Sequence, residues 1–86
     1  MITLLDFYAD WCQPCKKLEP FLQELQSTYP NINITKVNID TEKETSENYD
    51  INVIPTIIII DESNKILSKV EGYDIKKLTN EVKKFI

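Results

Sequence analysis

Residues Leu5-Asp6-Phe7-Tyr8-Ala9-Asp10-Trp11-Cys12-Gln13-Pro14-Cys15-Lys16 pass from an apolar run into a short polar turn that carries both cysteines of the chain. Between Ile2 and Tyr8 apolar side chains occupy both alternating faces, with Leu4 and Tyr8 on one and Leu5 and Phe7 on the other. That pattern predicts a central parallel strand covered on both sides. Beyond the turn, Leu18, Phe21, Leu22, Leu25 and Tyr29 recur every three or four residues, which predicts a helix from Cys12 or Gln13 to Tyr29. Pro20 falls inside it, where its ring displaces the carbonyl four residues earlier and predicts a kink.

Working outward, Ile32 to Ile39 reads as a second strand. Thr41-Glu42-Lys43-Glu44 has the spacing of a capping box that opens a short helix to Tyr49. Thr56 to Ile60 and Ile66 to Val70 are β-branched runs joined by Asp61-Glu62-Ser63-Asn64-Lys65, with Asn64 able to take positive φ; they predict an antiparallel hairpin. Asp74 suits the N-cap of a last helix whose Ile75, Leu78, Val82 and Phe85 share one stripe, with Lys76, Lys77, Lys83 and Lys84 toward water. The element order is βαβαββα. Right-handed crossovers place strand 1 beside strands 2 and 3, in an α/β fold with a four-stranded mixed sheet and helices on both faces.

A chain of 86 residues is expected to be one domain, residues 1–86, and no repeat or linker divides it. With 42% hydrophobic and 28% charged residues, it belongs with globular rather than disordered chains. Ten Lys against fourteen Asp and Glu leave a net charge of −4, so no positive field gathers phosphates and nucleic acid is excluded as a partner. The N-terminus lacks a basic segment and meets Asp6 early, unlike a signal peptide. The longest apolar run, Ile57 to Ile60, or Val53 to Ile60 with Pro55 and Thr56 included, is too short to span a bilayer. A cytoplasmic chain without membrane attachment is expected.

Two cysteines separated by two residues, with no third cysteine and no histidine, restrict the chemistry. Structural zinc takes four ligands and catalytic zinc three, so the pair supplies half of a metal site and none is expected. As a staple, the disulfide would close a loop within one helical turn, where little chain entropy remains to be removed. Redox chemistry accounts for the placement better. At the start of a helix, the first sulfur lies against unpaired amides and the positive end of the dipole, which favour thiolate over thiol. Cys12 is the expected nucleophile. Cys15, one turn deeper and more enclosed, is the expected resolving thiol that attacks the mixed disulfide.

Other residues gather around this pair. Asp6 lies inside an apolar strand, so burial should raise its pKa and suit it to accept the Cys15 proton; a satisfied polar residue near a strand edge is the alternative. Lys36 on the neighbouring strand could partner Asp6 or simply be exposed. Ile54-Pro55-Thr56 opens the third strand, where a proline needs no special role. A cis Ile54–Pro55 bond would instead press against the cysteine turn and leave backbone groups for an extended substrate to pair with. Trp11 suits either a core position or a flat docking surface.

The segment Leu5 to Lys16, Pro20, Lys36-Val37-Asn38-Ile39-Asp40 and Ile54-Pro55-Thr56 together resemble the thioredoxin family over nearly the whole chain, and Gly72 matches a glycine of that family's substrate groove. The resemblance implies a thioredoxin fold and a protein-disulfide reductase. Cys12 attacks, Cys15 resolves, Asp6 and Lys36 handle the proton, and Trp11, Gln13, Pro14, Ile54, Pro55 and Gly72 dock the substrate. It also implies disulfide-containing protein substrates, a separate thioredoxin reductase or other electron donor, no bound cofactor and a monomer. Three features depart from the family pattern. The usual first strand and helix are missing, which leaves strand 2 as an edge and brings the size near that of glutaredoxin. Gln13 replaces a glycine, so the potential is free to differ from thioredoxin's roughly −270 mV. Glu71 puts a charge beside a groove that is usually apolar. A glutathione-dependent glutaredoxin-like reductase and a non-catalytic binding module are the competing readings.

Overall fold

Apolar side chains leave both faces of the first strand, and the sheet is built around it. The computed structural model describes residues Met1–Ile86. Its elements are β1 (Thr3–Tyr8), α1 (Gln13–Thr28), β2 (Asn33–Asn38), α2 (Lys43–Asn48), β3 (Thr56–Ile60), β4 (Ile66–Glu71) and α3 (Ile75–Phe85). This is the expected βαβαββα order, and the four strands lie in the order β2-β1-β3-β4. On one face, Leu4, Ile57, Ile59 and Val70 form a core with Leu18, Leu22 and Leu25 of α1 and Leu78 and Val82 of α3. On the other, Leu5, Phe7, Val37, Ile58 and Ile60 pack under Ile39, Tyr49 and Ile51 around α2. All five residues of β3 are buried, as an inner strand between two helical layers requires, and each buried Ile contributes about 1.5–3 kcal/mol.

Direction is where the structure departs from the crossover expectation. β1 is parallel to β2, but β3 runs antiparallel to β1. A parallel β3 would need a connection that returns along the whole sheet. α2, six residues that rise about 9 Å, lies instead in a connection that comes back to the end it left, so β3 enters the sheet reversed, while β4 pairs antiparallel with β3 as the hairpin pattern required.

Local chemistry explains the ends of the elements. Asp61 Oδ1 accepts hydrogen bonds from the Ser63 amide and hydroxyl at 2.8 Å each and from the Lys65 amide at 3.0 Å. With Asn64 at φ 66, they fix the β3–β4 turn as its composition predicted. Asp74 caps α3 by accepting from the Lys77 amide at 3.0 Å. The expected Thr41–Glu44 capping box does not form. α2 starts one position later, after Glu42, because the preceding turn closes on Asn38: Glu42 Oε2 accepts from the Asn38 amide at 3.0 Å, and Asn38 Oδ1 accepts from the Asp40 amide at 2.9 Å. α1 stays continuous through Pro20. β2 is an edge strand whose Asn33, Thr35 and Lys36 are exposed. No helix is long and apolar enough to cross a membrane.

Candidate functional site

The redox pair sits where β1 hands over to α1. Cys12 is the N-cap of α1, in extended conformation at φ −90 and ψ 107. Its amide donates to the Ala9 carbonyl at 3.2 Å, and its Sγ accepts from the Cys15 amide at 3.2 Å. Gln13 and Pro14, both exposed, form the first helical positions; Pro14 has no amide to leave unpaired there. The Cys12 sulfur thus meets a free helical amide and the positive end of the dipole, the two influences that favour a thiolate once the bond is reduced.

Cys12 and Cys15 form a disulfide with their Cα atoms 5.3 Å apart, inside the range such a bridge needs. The expected difference in enclosure is absent: Cys12 is 4% exposed and Cys15 6%. In the oxidised state the bond draws both sulfurs into one cluster with Ala9, packed by Tyr8, Ile39 and Ile54. What separates the two is position on the helix, since Cys12 is the capping acceptor and Cys15 lies inside the first turn.

Asp6 is buried on the α1 face of β1, only 2% exposed. No fully enclosed side-chain polar atom in the chain lacks a partner, and Asp6 lines a cleft of about 150 Å³ with Glu19, Leu22, Gln23, Gln26, Ile34 and Lys36. Burial pushes its pKa up to about 6, with Lys36 pulling it down and Glu19 pushing it further up. A second cleft, of about 270 Å³, is lined by Tyr8, Ala9, Asp10, Cys15, Lys16, Glu19 and Lys36. Glu19 and Lys36 therefore line both the cleft of Asp6 and the cleft of Cys15.

Lys36 is the register partner of Asp6 across the β1–β2 pair, yet its ion pair is elsewhere. Its Nζ donates to Glu19 Oε2 at 2.6 Å and lies 4.4 Å over the Tyr8 ring. The long stem carries the ammonium outward to where its side chain is 43% exposed, so it keeps hydration that the space beside Asp6 would deny it. Burial alone would lower the Lys36 pKa, but the hydrogen bond and charge of Glu19, aided by Asp6, raise it.

The rim opposite is built by the β3 entrance. The Ile54–Pro55 bond is cis, Pro55 is fully buried, and Ile54 packs on the cysteine cluster. The Pro55 carbonyl accepts from the Gly72 amide at 2.7 Å, and the Thr56 hydroxyl donates to the Val53 carbonyl. Gly72 has φ 81 with open space where a Cβ would stand, so backbone conformation rather than crowding selects glycine. Trp11 is 65% exposed, which removes the core reading; its Nε1 donates to Asp40 Oδ2 at 3.0 Å. No group of three or more His, Cys, Asp or Glu side chains is placed to hold a metal ion.

The structure thus brings Cys12, Cys15 and Ile54 into one cluster, ties Pro55 to Gly72, and sets Asp6 and Lys36 along one cleft. Sequence reasoning missed Glu19 and Asp40. Glu19 was accessible to it as the residue one helical turn beyond Cys15, whereas Asp40 reaches Trp11 only through the turn after β2.

A cystine at a helix N-cap, packed by the isoleucine of a cis-proline bond and preceded by a strand that carries a buried acid, defines a thiol–disulfide oxidoreductase. The profile of the Thioredoxin family matches residues 1–84. The thioredoxin of Chlamydia pneumoniae is 37% identical over 83 residues, spanning 96% of this chain and 81% of its own length. Reduced Schistosoma mansoni thioredoxin superposes with a TM-score of 0.92 at 36% identity, covering 99% of this chain and 79% of its own. The germline-specific thioredoxin Deadhead of Drosophila melanogaster gives 0.93 at 34% identity, covering 99% and 81%. The chain belongs to the thioredoxin family, and its activity is that of a thioredoxin-type disulfide reductase.

Proposed function

We propose that residues 1–86 act as one monomeric thioredoxin domain that reduces protein disulfides in the cytoplasm and is recharged by a separate reductase. The Cys12 thiolate attacks a substrate disulfide and one substrate sulfur leaves. Asp6 then accepts the Cys15 proton, and the Cys15 sulfur attacks Cys12 Sγ. The bond from Cys12 to substrate breaks, and the second substrate sulfur leaves with the electron pair and is protonated from water. Trp11, Gln13, Pro14, Ile54, Pro55 and Gly72 form the docking face, and Lys36 tunes the proton acceptor. The observation that carries this reading is the Cys12 sulfur at the N-cap of α1, accepting the Cys15 amide.

The test is reduction of insulin disulfides by dithiothreitol with and without the protein. Marked acceleration is expected, and none would overturn the reading. Turnover with glutathione alone would favour the glutaredoxin-like alternative, and binding of a partner unchanged by a double Cys→Ser variant, in cells that tolerate it, the binding module.

A further inference from the structure

We propose that Glu19 is a positioning residue for the exchange: it holds the Lys36 ammonium at the wall shared by the two clefts, off the Asp6 carboxyl, and so sets the protonation state in which Asp6 meets the resolving thiol. The proposal rests on the reading of Asp6 as proton acceptor. Glu19 stands one helical turn beyond Cys15, and Lys36 faces Asp6 in register. The 2.6 Å pair and the Tyr8 ring together fix the ammonium. With side chains 43% and 37% exposed, such a pair adds little stability. Its consequence is local and electrostatic.

The surroundings of Asp6 leave few other charges to act. From α1 come Glu19, the neutral Gln23 and Gln26, and Leu22; from β2 come Lys36 and Ile34. Tyr8 follows on its own strand, β3 presents Ile57 in register, and α3 supplies Leu78 and Val82 to this face of the sheet. Glu19 and Lys36 are thus the two ionised groups that bear on Asp6, with opposite signs. Removing the Glu19 charge takes away a repelling anion and frees the cation that it holds. Both changes favour ionised Asp6 and make it a weaker base toward Cys15.

The test follows the Asp6 carboxyl by carbon NMR titration of the oxidised protein, in wild type, Glu19→Gln, Lys36→Met and the double variant. The wild-type midpoint is expected near 6. Glu19→Gln should lower it by about half a pH unit or more and Lys36→Met should raise it. Glu19→Asp, which keeps the anion, should stay nearer wild type. In the Lys36→Met background, Glu19→Gln should act more weakly, because one of its two routes is gone. An unmoved midpoint in a folded Glu19→Gln protein, or an equal drop with and without Lys36, would overturn the proposal. The pH limb of mixed-disulfide resolution in single turnover should move with the midpoint; a stationary limb would likewise overturn it. Failure of insulin reduction by the wild type would strike the functional reading instead, since the carboxyl titration needs no turnover.

Discussion

Replacing Asp6 by asparagine should stabilise this protein at neutral pH, and the gain should disappear in acid. In the folded state the Asp6 pKa is raised from 3.8 to about 6, chiefly by burial. Below pH 3.8 both folded and unfolded chains hold the proton, so ionisation costs the fold nothing. As pH rises toward 6, the unfolded chain releases its proton while the folded chain keeps it, and stability falls. Above 6 the loss is complete. Each tenfold difference in proton affinity is worth about 1.4 kcal/mol, which makes the loss about 3 kcal/mol in all. An asparagine side chain has nearly the same shape and no charge to bury. Thermal unfolding of the oxidised Asp6→Asn variant at about pH 7.5 should therefore occur about ten degrees or more above wild type, with the two curves converging near about pH 4. Asp61 and Glu81 act in the opposite sense, because hydrogen bonds hold their carboxylates below the ordinary range; the variant-minus-wild-type difference cancels them. A variant no more stable than wild type at neutral pH, or a gain that persists unchanged in acid, would refute the reasoning.

Cys15→Ser should accumulate mixed disulfides on Cys12, read by mass spectrometry, whereas Cys12→Ser should trap few; equal trapping would reverse or dissolve the assigned roles. Gly72→Ala should cost about 1–2 kcal/mol by chemical denaturation, because its φ of 81 lies in the left-handed region while nothing crowds the new methyl group. A neutral Gly72→Ala would mean that the turn relaxes freely and that Gly72 is dispensable to the Pro55 contact.

The sequence was most legible where one periodicity ruled a whole element. β1, α1 and β3 announced themselves through alternation, helical spacing and the unbroken Thr56–Ile60 run, and the Asp74 cap and Asn64 turn through local side-chain chemistry. It was least legible where geometry is decided by a connection. The reversal of β3 depends on the path of the whole β2–β3 connection, and the missing capping box on Asn38 and Glu42 closing their turn first. The same holds at the site. That Cys12 stands at the start of α1 followed from residue order alone, as did the burial of Asp6. That Lys36 faces Asp6 in register but turns its charge to Glu19 did not, because strand register places Cα atoms and not the ends of long side chains. Nor does residue order reveal that the two sulfurs are equally enclosed once joined.

Competitive alkylation of the reduced protein with iodoacetamide across pH reads the charge state of the Cys12 sulfur directly. Cys12 should react faster than Cys15 at neutral pH and faster than a cysteine in an unstructured peptide, with a midpoint below the ordinary thiol value of about 8.5. Reaction of Cys12 no faster than the free peptide and slower than Cys15 would contradict the account.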